Sequence, residues 1–179
     1  MEKNNIQLEV KLRPLALSDT DNIVKWRNSQ FVKNNLFSQN DLTVEQHVNY
    51  FNNVVSKGKC YQFIIEAKIG METLDIGTTF IKNIDFDNRK GEFGIFIGEE
   101  KARGKGCAKL AIKEILQIAF NELNLNRCYL EVLSNNQTAI KLYKKVGFQI
   151  EGTLHQDYIR NEETYDVILM AILKENYMK

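Results

Sequence analysis

A short glycine-containing loop is the part of this sequence whose residue types most directly suggest chemistry. The apolar run Ile95-Phe96-Ile97 ends at Gly98, and Arg103-Gly104-Lys105-Gly106 then leads into a segment with helical periodicity. The first amides of a helix have no partners within that helix, and the helix dipole adds positive potential there. Because glycines let a ligand approach the backbone closely, this pattern indicates a phosphate site. A tight strand-to-helix turn, with Arg103 and Lys105 as a solvated basic rim, explains the same residues.

Two common nucleotide-binding motifs are absent from this stretch. The sequence contains no G-x-x-x-x-G-K-[ST], and the loop has neither a complete G-x-G-x-x-G nor the acidic residue that would anchor a ribose downstream. The loop by itself therefore leaves the identity of the anion open.

A phenol and an amide side chain mark a second segment, where helical spacing predicts a helix over residues 137–146. Asn136 stands just before this helix, and Tyr143 lies within it. Both have a structural explanation as well. Asn is favoured at helix N-termini, and Tyr143 shares a helix face with Ala139 and Ile140, as a core tyrosine would.

The elements that must position these residues follow from hydrophobic periodicity. Strands are predicted at about 7–13, 61–66, 74–84, 92–97, 127–133, 148–154 and 164–173. Helices are predicted around 23–28, from Thr43 to Val55, at about 105–123 and at 137–146. Asp87-Asn88 and Gly91 are expected to form the hairpin turn between the strands at 74–84 and 92–97. This order lacks the steady alternation of a doubly wound parallel sheet. We therefore expect an α/β fold of the α+β type, with a mixed, mostly antiparallel sheet.

Composition and charge exclude several classes of protein. The length of 179 residues suits one domain spanning 1–179, and the net charge of +1 gives no strong attraction to nucleic acid or membrane. Cys60, Cys107 and Cys128 are far apart and form no C-x-x-C pair, so we expect no disulfide framework. With His47 and His155 as the only histidines, no metal is expected. The start of the chain has no apolar leader-like run, and a cytoplasmic protein is expected.

Two motifs together resemble the GCN5-related N-acetyltransferase (GNAT) superfamily. The family's donor pattern Gln/Arg-x-x-Gly-x-Gly/Ala is matched by Arg103-x-x-Gly106-x-Ala108. The segment from Asn136 to Phe148 resembles the family's Asn-x-x-Ala-Ile-x-Leu-Tyr-x-x-x-Gly-Phe. The resemblance extends from Leu12 to about Leu173. It implies a central sheet of about seven strands that is splayed at the donor site, with about four helices packed on both faces.

The resemblance implies that acetyl-CoA is the acyl donor. The amides of 104–109 would hold its pyrophosphate, the strand edge 96–98 would pair with the pantetheine arm as a pseudo-strand, and Asn136 would hydrogen-bond that arm. Tyr143 would protonate the departing thiolate, since a phenol with a pKa of about 10 is close in acidity to a thiol. The residues implied to bind the donor are Phe96, Ile97, Gly98, Arg103, Gly104, Lys105, Gly106, Cys107, Ala108, Lys109 and Asn136.

The general base has more than one candidate. Glu92 lies on the strand before the loop, where some relatives carry a catalytic glutamate, and Glu131 matches a base proposed in protein N-terminal acetyltransferases. A water relay, or an amine that arrives deprotonated, would replace either. A backbone amide near Ile97 would polarise the thioester carbonyl. An acyl-enzyme on Cys107 is disfavoured, because no histidine is near in sequence.

The acceptor is expected to meet the first helices. The stretch 25–29, with residues 43–51, resembles acetyltransferases of the pseudaminic acid pathway, which modify UDP-linked 4-amino-4,6-dideoxy sugars. Stacking and cationic groups suit a nucleotide sugar. The residues expected to bind the acceptor are Trp26, Arg27, Asn28, Phe31 and His47.

Other acceptors and roles stay open. The Trp26-Arg27-Asn28 run also occurs in relatives that acetylate ribosomal protein N-termini, and Trp26 would equally serve as a core anchor. A protein N-terminus is therefore the alternative acceptor, followed by a polyamine or an antibiotic amine. A sensor that binds acyl-CoA without turnover is a more distant alternative. The oligomeric state is open, with a homodimer as one option.

Overall fold

A single mixed sheet organises the part of the chain that the structure describes, residues 8–177 of this computed structural model. Gln7, where the first strand was expected to begin, lies outside those residues. The strands within 8–177 are β1 (Glu9–Pro14), β2 (Cys60–Ile69), β3 (Glu72–Asp85), β4 (Lys90–Ile97), β5 (Arg127–Leu133), β6 (Gln149–Arg160) and β7 (Glu163–Leu173). Their order is β1-β2-β3-β4-β5-β7-β6. All neighbours are antiparallel except β4 and β5, which confirms the predicted mixed sheet.

The helices of residues 8–177 are more numerous than the sequence predicted. They are α1 (Thr20–Asn28), α2 (Gln30–Lys33), α3 (Val44–Tyr50), α4 (Cys107–Gln117), α5 (Gln137–Val146) and α6 (Lys174–Tyr177). π-helical turns at Phe51–Val55 and Ile118–Glu122 prolong α3 and α4. The two unpredicted helices, α2 and α6, have four residues each, too few for a helical period to show. No helix in 8–177 is long and apolar enough to cross a bilayer.

The sheet opens between β4 and β5. These strands pair only at Lys90↔Arg127, Gly91↔Cys128 and Glu92↔Tyr129, whereas β4 stays paired with β3 up to Ile97. The later part of β4, residues 93–97, therefore has one edge without a strand partner among the described residues. This opening is the splay that the family resemblance implied.

The two faces of the sheet carry different helices. Beneath α4 and α5, buried apolar side chains such as Ile112, Phe120 and Phe93 form the largest core cluster. On the opposite face, Trp26 of α1 packs in a smaller cluster to which Phe96 also contributes. Because side chains alternate along a strand, β4 directs Phe93 towards one set of helices and Phe96 towards the other.

Gly91 has a different position from the one predicted. The turn between β3 and β4 occupies residues 86–89 and includes Asp87 and Asn88, as predicted. Arg89 in this turn has a φ of 48°, and Gly91 lies inside β4. A Cβ on Gly91 would come within 2.7 Å of Ile81 Cγ2. The absence of a side chain here thus serves packing between neighbouring strands and is not required by the turn.

Candidate active site

The loop after β4 has the backbone geometry of an anion site. Gly104 and Gly106 adopt φ values of 71° and 86°, a left-handed conformation in which other residues are strained. Gly106 is the N-cap of α4, so the helix begins at Cys107 and not at Lys105 as expected. Within residues 8–177, the amides of 104–108 donate to no backbone carbonyl of a loop or turn. They remain available to a bound anion.

The amide of Lys109 is already engaged. It donates to the carbonyl of Gly106 at 3.1 Å, in the first turn of α4. The expectation that this amide holds a pyrophosphate is therefore wrong for the conformation described. Lys109 nevertheless lines the same cavity as the loop, where its backbone or side chain is in reach of a ligand.

One cavity of about 450 Å³ lies between this loop and α5. Its lining residues are Ile97, Ala102, Arg103, Gly104, Gly106, Cys107, Ala108, Lys109, Thr138, Lys141, Leu142 and Lys145. The wall of the cavity that α5 forms was not predicted from the sequence. Lys141 and Lys145 are four residues apart and therefore share a helix face, a spacing that was visible in the sequence.

The edge of β4 presents alternate amides to the opening. Gly98 donates its amide to the carbonyl of Ile76 on the β3 side, at 2.8 Å, and Ile97 is in register with Gly77. Hydrogen-bonding directions alternate along an antiparallel strand, so Phe96 and Gly98 face β3, whereas Ile97 and Ile95 face the opening. Of the predicted edge 96–98, only Ile97 can pair with a ligand through its backbone.

Asn136 acts as the N-cap of α5. Its Oδ1 accepts a hydrogen bond from the amide of Ala139 at 3.1 Å, and the residue does not line the cavity. Asn136 therefore has the structural role at the helix N-terminus that its residue type suggested. Its side-chain NH2 group stays free of hydrogen bonds within residues 8–177 and can still donate to a ligand.

Tyr143 is packed in an aromatic group behind the cavity. Its ring centroid is 6.0 Å from that of Phe93 and 5.7 Å from that of Phe148. Burial raises the pKa of Tyr143 to about 12, so the phenol holds its proton at neutral pH. Its hydroxyl has no hydrogen-bond partner in residues 8–177. The oxygen keeps a small contact with solvent. A protonated phenol is therefore present in α5, among the aromatic side chains that pack on β4.

The two candidate bases flank a tyrosine at the point where β4 and β5 diverge. Tyr129 is in register with Glu92, and burial first, then the charges of Glu92 and Glu131, raises its pKa. Glu92 is already paired, with Lys82 Nζ at 3.0 Å and with the side-chain amide of Asn83 at 2.8 Å. Glu131 is exposed and forms no ion pair within residues 8–177. Tyr129 was not among the site residues predicted from the sequence.

Four of the predicted acceptor residues instead build the scaffold of α1 to α3. Trp26 is only 3% exposed, so it does not offer the stacking surface that we expected. Arg27 donates to the carbonyl of Ser38 at 3.0 Å, and burial lowers its pKa. Asn28 bonds both backbone polar groups of Leu42, at 2.9 and 2.7 Å.

His47 is buried as well, at 2% exposure, and cannot line an open acceptor pocket. Its Nδ1 lies 3.0 Å from Thr20 Oγ1, and Thr20 Oγ1 in turn donates to the carbonyl of Leu17. Nδ1 therefore carries the proton. Burial lowers the pKa of His47, against a smaller raising effect of Asp19, so the ring is neutral near pH 7.

Phe31, which was expected to bind the acceptor, lies beside the loop 103–108. Its ring is half exposed, and the guanidinium carbon of Arg103 lies 3.7 Å from the ring centroid.

Cys107 is a poor nucleophile in this structure. The side chain is 1% exposed, and burial raises the pKa of its thiol. Since the thiolate is the reactive form, a covalent acyl-cysteine is disfavoured here. The arrangement instead suits direct transfer between two bound substrates.

Comparison with known proteins identifies the family. Residues 9–149 match the family described as Acetyltransferase (GNAT) domain. The chain is 28% identical over 169 residues to the spermidine N(1)-acetyltransferase of Escherichia coli strain K12, covering 94% of this chain and 88% of that protein. It also resembles the crystal structure of spermidine N-acetyltransferase from Vibrio cholerae in complex with CoA and spermine, with a TM-score of 0.86 and 28% identity. That match covers 95% of this chain and 98% of the other.

A dodecameric structure of the Vibrio cholerae spermidine N-acetyltransferase matches with a TM-score of 0.80 at 28% identity, over 95% of this chain and 96% of that one. The family match spans most of the chain and includes both motifs and the splayed sheet. The chain therefore belongs to the GNAT family and is an acetyl-CoA-dependent N-acetyltransferase.

Proposed function

We propose that this enzyme acetylates a primary amine of a polyamine. The observation that carries the proposal is the likeness, over almost the whole chain, to spermidine N-acetyltransferases from two bacteria. A polyamine was one of the alternatives that the sequence left open. The nucleotide-sugar acceptor has no support from the comparisons, and the burial of Trp26 removes the surface on which its base was expected to stack.

The donor would lie between the loop and α5. Acetyl-CoA supplies an activated acetyl group as a thioester. The free amides of 104–108 would bind its pyrophosphate, and Lys141 and Lys145 would add positive charge along the other wall of the cavity. The backbone of Ile97 and Ile95 would pair with the pantetheine arm in the opening between β4 and β5. An amide on this edge would also stabilise the negative charge that develops on the thioester oxygen.

The acceptor would approach from the face that carries Glu92 and Glu131. Two carboxylates at the mouth of the opening attract a polycation and orient its amines. Because Glu92 is paired with Lys82 and Asn83, the exposed Glu131 is better placed to receive the amine proton, directly or through water. Tyr143 would give its proton to the leaving sulfur, which accounts for a protonated phenol beside the opening.

A panel of acceptors tests the proposal. Thiol release from acetyl-CoA is measured with spermidine, spermine, a UDP-4-amino sugar and a peptide with a free N-terminus. We expect turnover with the polyamines alone. Turnover with the sugar or the peptide, and none with the polyamines, would contradict the proposed acceptor. It would still agree with acetyltransferase activity. The donor site is tested separately, since acetyl-CoA at about 100 times its Kd should stabilise the fold by about 2.7 kcal/mol.

We also propose that the enzyme is a single domain that assembles with copies of itself. One sheet contains all seven strands of residues 8–177, and the strand at its end, β6, exposes Ile150, Leu154 and Ile159. An exposed apolar edge strand favours association, and a related enzyme is dodecameric. Light scattering coupled to size exclusion should give a mass above that of one chain, 20.8 kDa. A monomer at micromolar concentration would contradict this assembly.

A further inference from the structure

The guanidinium of Arg103 is held by few groups. It donates to the carbonyl of Gly98 at 2.8 Å and packs on the ring of Phe31, 3.7 Å from the centroid. Its Nε is buried without a partner, and Arg103 forms no ion pair with any residue in 8–177. The position of this side chain, at the start of the donor loop, therefore depends largely on Phe31.

Phe31 is itself firmly placed. Its neighbour Val32 is only 2% exposed and anchors the short helix α2 in the protein. The segment after α2 is tied to the hairpin of β6 and β7, because Arg160 donates to the carbonyls of Asn34 and Leu36, both at 3.0 Å. The chain on the C-terminal side of Phe31 is thus held by buried packing and hydrogen bonds, and its ring lies against the guanidinium of Arg103.

The same helical unit also covers the end of β4. Trp26 of α1 packs directly on Gly98, the residue whose carbonyl accepts from Arg103. Trp26, Gly98, Arg103 and Phe31 therefore form a chain of contacts that runs from α1, over the end of β4 and Arg103, to α2. Loss of the Phe31 ring would remove the contact that covers the Arg103 guanidinium on its solvent side.

We propose that Phe31 is a positioning residue of the donor site. Its ring holds the Arg103 guanidinium against the end of β4 and so keeps the loop 103–108 in the conformation that binds the CoA phosphates. This inference rests on the proposed donor site. It assigns Phe31, which the sequence placed with the acceptor, to acetyl-CoA binding through Arg103.

Two substitutions at Phe31 test the proposal: one removes the aromatic ring but keeps an apolar side chain, and the other keeps an aromatic ring. Phe31→Leu should raise the KM for acetyl-CoA about two- to five-fold, the range expected for loss of a cation–π contact, with kcat at saturation unchanged. Phe31→Trp, which keeps a π-face, should restore the wild-type KM. Phe37→Leu is the matched control, since Phe37 is a comparably exposed aromatic that packs on Tyr158 and not on the loop.

A double-mutant cycle locates the effect. In an Arg103→Gln background, Phe31→Leu should add no further rise in the KM for acetyl-CoA. The proposal would be overturned by additive effects of the two substitutions or by an unchanged KM for acetyl-CoA in Phe31→Leu. A lower KM in Phe31→Leu would also overturn it, because it would mean that the ring holds Arg103 away from the phosphates. If the wild-type enzyme shows no thermal shift with acetyl-CoA, the proposed donor site is wrong. If the wild type shows the shift and the Phe31 variants have the same KM for acetyl-CoA as the wild type, only the positioning role is wrong.

Discussion

Gly98 lies directly beneath the indole of Trp26. A Cβ built on Gly98 would come within 2.1 Å of Trp26 Cγ and 2.4 Å of its Cβ, far inside van der Waals contact. Because both atoms lie at the root of the indole side chain, they cannot swing away as the tip of a flexible side chain would. The end of β4, which leads into the loop 103–108, is thus packed tightly against α1 at a residue with no side chain.

Gly98→Ala should therefore destabilise the protein and impair donor binding together. We expect a loss of about 1–3 kcal/mol in the free energy of unfolding, as overpacking usually costs, and a higher KM for acetyl-CoA. Denaturant unfolding and steady-state kinetics measure the two effects. Gly152→Ala is the control, since its Cβ would meet Leu169 Cδ1 at an ordinary 3.8 Å. Equal stability losses in the two variants would show that the contact with Trp26 does not matter.

Tyr143→Phe should lower kcat by about a hundredfold or more, if the phenol protonates the thiolate. The free energy of unfolding should not fall, because the hydroxyl has no hydrogen-bond partner in residues 8–177 and the aromatic packing remains. Burial raises the pKa of Tyr143 to about 12, so its deprotonation should not limit the wild-type rate below about pH 10. Tyr177→Phe, which removes a phenol bonded to the carbonyl of Lys113, should leave kcat unchanged. An undiminished kcat in Tyr143→Phe would assign the proton transfer to another group.

Lys141→Gln and Lys145→Gln should each raise the KM for acetyl-CoA about two- to five-fold, because their charges line the cavity proposed for the CoA phosphates. The effect should shrink as salt is added, since exposed charges are screened. Lys144→Gln removes the same charge from the same helix, at a position that does not line the cavity. A similar rise in KM for all three variants would point to net charge and not to contact with the phosphates.

The stability of the protein should fall as the pH drops below about 6.5, partly because of His47. Burial lowers its pKa in the folded state, so the unfolded chain binds the proton more tightly in this window. His47 thus contributes stability that is present above its unfolded pKa and is lost as the pH falls through its folded pKa. His47→Gln should flatten the dependence of the melting temperature on pH between about 5 and 7.

The second histidine provides the control for this pH effect. His155→Gln removes the other imidazole, an exposed one whose Nδ1 lies 3.2 Å from Asp166 Oδ2. Because the sequence has only two histidines, the two variants separate the buried imidazole from the exposed one. If His155→Gln flattens the curve and His47→Gln does not, the buried histidine is not responsible.

Local signals predicted much of the fold. The strand at 127–133 and the helix at 137–146 have the bounds that the sequence predicted, since Asn136 caps the helix at its start and Gly147, with a φ of 115°, ends it. The start of α4 was misplaced by two residues because the left-handed conformation of Gly106 delays the helix. Capping residues lie next to the helix ends in the sequence, so most of these ends could be predicted from residue type alone.

The sequence by itself determined the family and the order of the elements, because short motifs and hydrophobic periodicity are local features of the chain. Only the tertiary structure decided which partners the aromatic and charged residues of α1 to α3 have. Trp26 covers Gly98, His47 is buried against Thr20, and Phe31 lies on Arg103, all far apart in sequence. Side-chain type predicts what such residues can bind, but burial and long-range packing decide what they contact. The glycine-containing loop from Arg103 to Ala108 is therefore visible in the sequence, whereas the contact of Arg103 with Phe31 is not.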